Sequence, residues 1–145
     1  VKADGTMDRS AMATITNPDD LNAVEAALQL KDETVAHRRY FHRNAEAGLD
    51  LPLARAYVKK TLQSFGIDAE DCGFGVTAQV GQGAPCILLR ADMDALPMAE
   101  ESGLDFASIT DAAHTCGHDL HAAMLLTAAK MLKETEGRLR FYCVC

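Results

Sequence analysis

Apolar positions along the chain follow first a helical and then a strand-like period, and the change of period outlines the elements. Leu21, Val24, Leu28 and Val35 recur at spacings of three, four and seven, which predicts one amphipathic helical stripe. Asn17-Pro18-Asp19-Asp20 supplies cap and first-turn chemistry ahead of it. Extending the stripe by seven lands on His42, which is therefore expected to face inward. A second helix is predicted from about Leu51, with Asp50 as cap, Pro52 in the first turn, Ala54, Val58, Leu62 and Phe65 on the apolar face and Gly66 as the stop. Val76, Ala78 and Val80 then alternate with polar or small residues, and Cys86-Ile87-Leu88-Leu89 is a short continuous apolar run. The turn-rich segment from Gly81 to Pro85 between them predicts a β-hairpin, with the second strand central and buried on both faces. A third helix is expected from about Asp119 to Glu134, with Leu120, Met124, Ala128, Met131 and Leu132 inside and Gly137 ending it. Leu139, Phe141 and Cys143 alternate again and mark a further strand. The order is that of an α/β fold.

The first 18 residues are polar and aperiodic, a loose leader, so the folded portion is expected over 19–145. A chain of 145 residues with 48% apolar composition is long enough to bury a core. A formal charge of −7 argues against a general nucleic-acid binder, whose affinity rests on clustered Lys and Arg. No apolar run approaches the roughly 18–20 residues of a membrane-spanning helix. The N-terminal Val-Lys-Ala-Asp-Gly-Thr lacks the apolar core of a signal peptide, so a cytoplasmic, reducing setting is expected. Five cysteines at uneven spacings do not suggest a disulfide framework, and Cys72 and Cys86 are expected as buried, inert small hydrophobes. The glycine pairs at 73/75 and 81/83 lack the third glycine and following helix of a dinucleotide fingerprint.

Chemistry concentrates in two stretches. His114-Thr-Cys116-Gly-His118-Asp119-Leu-His121 gathers three histidines, a cysteine and an aspartate just before a helix. Thiolate and imidazole are preferred ligands of Zn²⁺ and serve other first-row metals. In an extended segment Cys116 and His118 point the same way, and Gly117 leaves the backbone free to bring both onto one ion. Asp119 suits a helix cap or a carboxylate that orients an imidazole. Arg90-Ala-Asp92-Met-Asp94-Ala-Leu-Pro97 leaves the end of a strand, where open α/β sheets put their sites. Two readings of it stand: both carboxylates aimed at one point, or a strand exit with solvated acids and a paired Arg90. Glu100 and Glu101 read as a solvated face. His42 and Glu46 read as a hydrogen-bonded inward pair, and Cys143-Val-Cys145 as a terminal pair of thiols.

Three stretches together resemble the M20 metallopeptidase family in its amidohydrolase branch of hippurate, N-acyl-amino-acid and auxin-conjugate hydrolases. They are Arg38-Arg39-x-x-His42-x-x-x-Glu46, then Leu88 through Leu104 with Arg-Ala-Asp-Met-Asp-Ala-Leu-Pro, then His114-x-Cys116-Gly-His118-Asp119-x-His121. The resemblance runs from about Leu30 to Phe141. It implies the N-terminal part of a three-layer α/β/α catalytic domain without its lid domain. It also implies a site for two divalent ions, with Zn, Mn, Co and Ni not distinguished. In that pattern Cys116 and His118 resemble metal ligands, Asp94 the supporting acid, and Asp92, Asp119 and His121 residues behind them. The implied reaction is hydrolysis of an N-acyl amino acid or similar small amide by metal-activated water; the pattern also admits a homo-oligomer.

The chain departs from the pattern at two places. Ala45 stands where the family usually has Pro, and Tyr142-Cys-Val-Cys145 follows Phe141 where the family carries Gln-Pro-Ala-Glu-Glu with the general-base Glu. The expectation is a truncated segment, inactive by itself. The alternatives are a non-catalytic metal-binding or interaction module, with the strand at Leu139–Cys145 open to pairing, and a thiol redox protein using Cys143 and Cys145.

Overall fold

The computed structural model describes residues 21, 24–25 and 28–133, and the backbone of 138–144. The expected leader and Cys145 lie outside the described residues. The elements run α1 (Lys31–Arg43), α2 (Pro52–Ser64), β1 (Ala69–Cys72), β2 (Gly75–Val80), β3 (Cys86–Asp92), α3 (His118–Leu132) and β4 (Arg138–Val144). The α/β class is as the sequence predicts.

The strands form one sheet in the order β1-β2-β4-β3. The hairpin is β1–β2, with Cys72 opposite Gly75 and a two-residue turn whose Gly73 adopts φ +59. The hairpin expected between β2 and β3 does not form, because β4 inserts between them, antiparallel to β2 and parallel to β3. A parallel pair cannot close through a tight turn, and the crossover from β3 to β4 is the loop 93–117 followed by α3. Asp92 is paired with Val144, so both strands end at the same side of the sheet, where the acidic loop departs. β4 is paired on both sides, which removes the open-strand argument for an interaction module. β3, expected at the centre, lies at an edge of the described sheet with Ile87 52% exposed. A continuous apolar run signals two faces that suit burial but does not say which neighbours arrive.

The core joins Phe41 of α1, Leu51, Val58 and Leu62 at α2, Val76 and Val80 of β2, and Leu126 of α3. Ala54, Val58 and Leu62 face inward as predicted, and Gly66 (φ +75) terminates α2. Tyr40 of α1 stacks on Tyr57 of α2 with ring centroids 3.6 Å apart. His42 is buried, as expected, but the stripe that predicted it is not: the helical path turns at Leu30, and Leu21, Val24, Leu28 and Val35 are exposed. In α3 the inward face differs from the one expected, although Leu132 packs against the core as predicted. Ala122, Ala123, Leu125, Leu126 and Ala129 are buried, whereas Leu120, Met124 and Met131 face out. The helix is apolar nearly all round, so its pattern does not single out a face; the small alanines allow close packing. Cys72 and Cys86, expected inside, are exposed, one at the hairpin turn and one at the first position of the edge strand.

Candidate metal centre

The loop after β3 is held by backbone pairing with its neighbours. Ala95 N–H donates to Glu46 O at 2.7 Å, and Leu96 and Ala113 exchange backbone hydrogen bonds of 3.0 and 2.9 Å. Ala45, Ala95 and Ala112 pack as a separate buried cluster at this junction, so the position where Ala45 departs from the family pattern is a close contact between loops. Thr110 adds a side-chain bond to Ala45 O at 2.6 Å. These contacts bring Asp94 beside the start of α3.

Cys116 and His118 meet there, not on an extended segment but across a turn. Gly117 takes φ +88, a left-handed conformation that glycine adopts without strain, and stands as N-cap of α3. His118 Nδ1 lies 2.9 Å from Asp94 Oδ1 and 3.0 Å from Asp94 O, and Cys116 Sγ is 3.8 Å from the same carbonyl oxygen. The two acids expected to aim at one point separate: Asp94 engages His118, while Asp92 forms an ion pair with Arg90. His121 is exposed and stacks loosely on His118, with centroids 5.9 Å apart. Among the described residues, no three His, Cys, Asp or Glu side chains converge as a metal-binding group.

Asp119 is not directed at a ligand imidazole. It is 1% exposed, and its Oδ2 receives Arg38 Nε at 2.8 Å and faces His42 Nδ1 at 2.7 Å. The other nitrogen of His42 faces Glu100 Oε1 at 2.9 Å. Glu100, read as solvated, is thus a buried partner. Hydrogen bonds from Ser102 Oγ, the Ser108 N–H and His42 hold its carboxyl down to about 2. Glu101 remains exposed.

Glu46 does not pair with His42, because α1 has ended at Arg43 and the helical spacing no longer applies. Its carboxylate instead receives the Leu53 and Ala54 N–H groups at 3.1 and 2.8 Å, capping α2 in place of Asp50, which lies 3.8 Å from Arg55. His114 is buried beside His42, with ring centroids 6.3 Å apart, and burial lowers its pKa to about 4. It is thereby separated in environment from the exposed Cys116. The set of Arg38, His42, Glu100 and Asp119, with His42 and Asp119 buried and Arg38 partly exposed, was not foreseen as a unit. Its members all fall within the three motif stretches, but only the inward projection of His42 hinted at where one of them would point.

The donor set suits a divalent metal: a thiol and an imidazole meet at one turn, and a carboxylate engages one ring nitrogen, leaving Nε2 for coordination. Residues 88–141 match the family model of peptidase family M20/M25/M40. The chain is 37% identical over 130 residues to N-acetyl-L-cysteine deacetylase of Bacillus subtilis, covering 86% of this chain and 30% of that protein. It is 42% identical over 113 residues to IAA-amino acid hydrolase ILR1-like 5 of Arabidopsis thaliana, covering 75% and 26%. The crystal structure of the Bacillus subtilis YXEP protein, described as a dinuclear metal binding peptidase, superposes with a TM-score of 0.75 at 29% identity over 79% of this chain and 35% of that one. The chain thus spans about a third or less of the relatives it matches. From the shared motifs, fold and family match together, the chain belongs to the M20 peptidase family, within which it corresponds to the N-terminal part of the catalytic domain.

Proposed function

We propose that this chain carries part of a two-metal amidohydrolase site that cleaves N-acyl amino acids or similar small amides. One observation carries the reading: the contact of both Cys116 and His118 with Asp94. A carboxylate on one imidazole nitrogen fixes the ring and raises the basicity of the other, which is how ligand histidines are commonly held. In this reading Cys116 and His118 are metal ligands and Asp94 is the acid that orients His118. The relatives named for N-acetyl-L-cysteine and for IAA-amino acid support the substrate class.

A bound divalent ion supplies a nucleophilic water at neutral pH and polarises the amide carbonyl. The chain's own residues have narrower tasks. Asp94 holds the proton on His118 Nδ1, so that Nε2 presents its lone pair. Cys116 contributes a thiolate, and the Gly117 turn keeps the two donors together. Proton transfer to the leaving amine is assigned to the Glu that the family pattern carries after Phe141. Two protein ligands are fewer than the three a catalytic zinc uses, so the 145 residues alone are proposed to bind metal without turnover. A cytoplasmic setting, where thiols stay reduced, fits the exposed free thiols of Cys72, Cys86 and Cys116.

The test is metal content after dialysis, together with hydrolysis of acetyl- and benzoyl-amino acids in added Zn²⁺ or Mn²⁺. Metal retained by the wild type, lost in Cys116→Ser and His118→Ala, is the expected result. Metal that does not depend on these residues overturns the site assignment, and turnover by the 145 residues overturns the proposed inactivity.

A further inference from the structure

We infer that His42 and Arg38 are positioning residues for the Cys116–His118 pair, acting through Asp119; this rests on the metal reading above. Asp119 directly follows His118, and both its oxygens are used: Oδ2 by Arg38 and His42, Oδ1 by the Leu120 N–H at 2.9 Å. The first turn of α3 has glycine at its N-cap and no side-chain cap. Its lateral anchor is therefore the side-chain network reaching across from α1. The ligand turn is thus held from two directions, by Asp94 on the loop after β3 and by His42 and Arg38 on α1.

The network is placed where it serves position better than stability. Burying carboxylates, an imidazole and a guanidinium costs desolvation that their attraction repays only in good geometry, so such a set is weak evidence for stability. The same two helices are already joined further along by Thr34 Oγ1 and Thr127 Oγ1 at 2.8 Å and by Lys130 on Glu33, where no metal-ligand side chain stands. Of the charged contacts described between these helices, the more buried lies at the end carrying the thiol and imidazole. His42 also reaches a second segment through Glu100, which accepts the Ser108 N–H at 2.6 Å. One ring thereby sets the ligand turn and the loop around Glu100 relative to each other. Phe106 covers it, 5.4 Å from the His42 ring, with the Arg38 and Arg39 guanidinium groups each 4.9 Å from its own centroid.

The experiment titrates Cd²⁺ into the 145-residue protein and follows the ultraviolet thiolate-to-cadmium band, taken as the difference from Cys116→Ser to remove the other thiols. His42→Gln and Arg38→Met are expected to weaken cadmium binding at least about tenfold, as loss of a residue supporting a ligand commonly does. Thr34→Val and Lys130→Met break contacts between the same helices and are expected to stay within about twofold. Circular dichroism of each variant at the titration temperature establishes that it is folded; Arg38 is partly exposed, so Arg38→Met serves if His42→Gln unfolds. A wild-type band with unchanged affinity in folded His42→Gln or Arg38→Met overturns the inference and leaves the metal reading standing. Equal weakening in the Thr34 and Lys130 variants also overturns it, since helix docking in general then suffices. Absence of a Cys116-dependent band in the wild type overturns the metal reading, and this inference with it.

Discussion

The two ends of the α1–α3 contact use charge differently. At one end, Asp119 is 1% exposed and shared by Arg38 and His42; at the other, Lys130 and Glu33 meet with each side chain about one-third exposed. Water screens the second pair, which contributes little, whereas removing one member of the first strands a buried charge. A single pair of helices thus has a yielding end and an end that tolerates little displacement. The intolerant end is the one next to Cys116 and His118.

The comparison is broken most severely by Asp119→Ala, which leaves Arg38 and His42 facing an empty position; a loss of about 3–5 kcal/mol is expected in chemical denaturation. Leu126→Ala, on the buried face of α3, is expected to cost about 2–5 kcal/mol. Met124→Ala, on the outward face, should stay within about 0.5 kcal/mol, so the two together test which side of the helix packs. Glu100 sharpens the comparison through pH. Its folded pKa of about 2 lies below the ordinary 4.5, so its contribution is complete above pH 4.5 and is lost as pH falls through 2. The stability gap between wild type and Glu100→Gln should accordingly narrow across that window in acid titrations. Glu46→Ala removes the cap of α2 and should cost about 1 kcal/mol in thermal unfolding without altering cadmium binding. Lys130→Met, at the yielding end, should cost no more than about 0.5 kcal/mol.

Much of the candidate site was legible before folding. Cys116-Gly-His118-Asp119 and Asp92-Met-Asp94 announce themselves because ligand chemistry depends on residue type at short range, and the family motifs contain the same residues. The partnerships were not legible. Asp92 and Asp94 share a spacing that permits a common target, yet one turned to Arg90 and the other to His118. Glu46 lies four residues after His42, but the helix ended first and the carboxylate capped α2. Glu100 sits in a polar stretch and still became a buried partner, because loop closure brought it to His42.

The sequence by itself determined the α/β class, α2 with its buried face, the positions of β2, β3 and β4 and the residues that carry the chemistry. Periodicity and side-chain type are local properties, and these follow from them. β1 was not foreseen, and His42 turned inward although the stripe that pointed to it did not. Only the tertiary structure decided that β4 inserts between β2 and β3, that β3 lies at an edge, which face of α3 is buried and which acid meets which base. An apolar helix without a unique polar face and a strand suited to burial on both sides have several local solutions of similar quality. The choice among them is made by the crossover that carries the chain back to the sheet and by the buried charges that must find partners once water is gone.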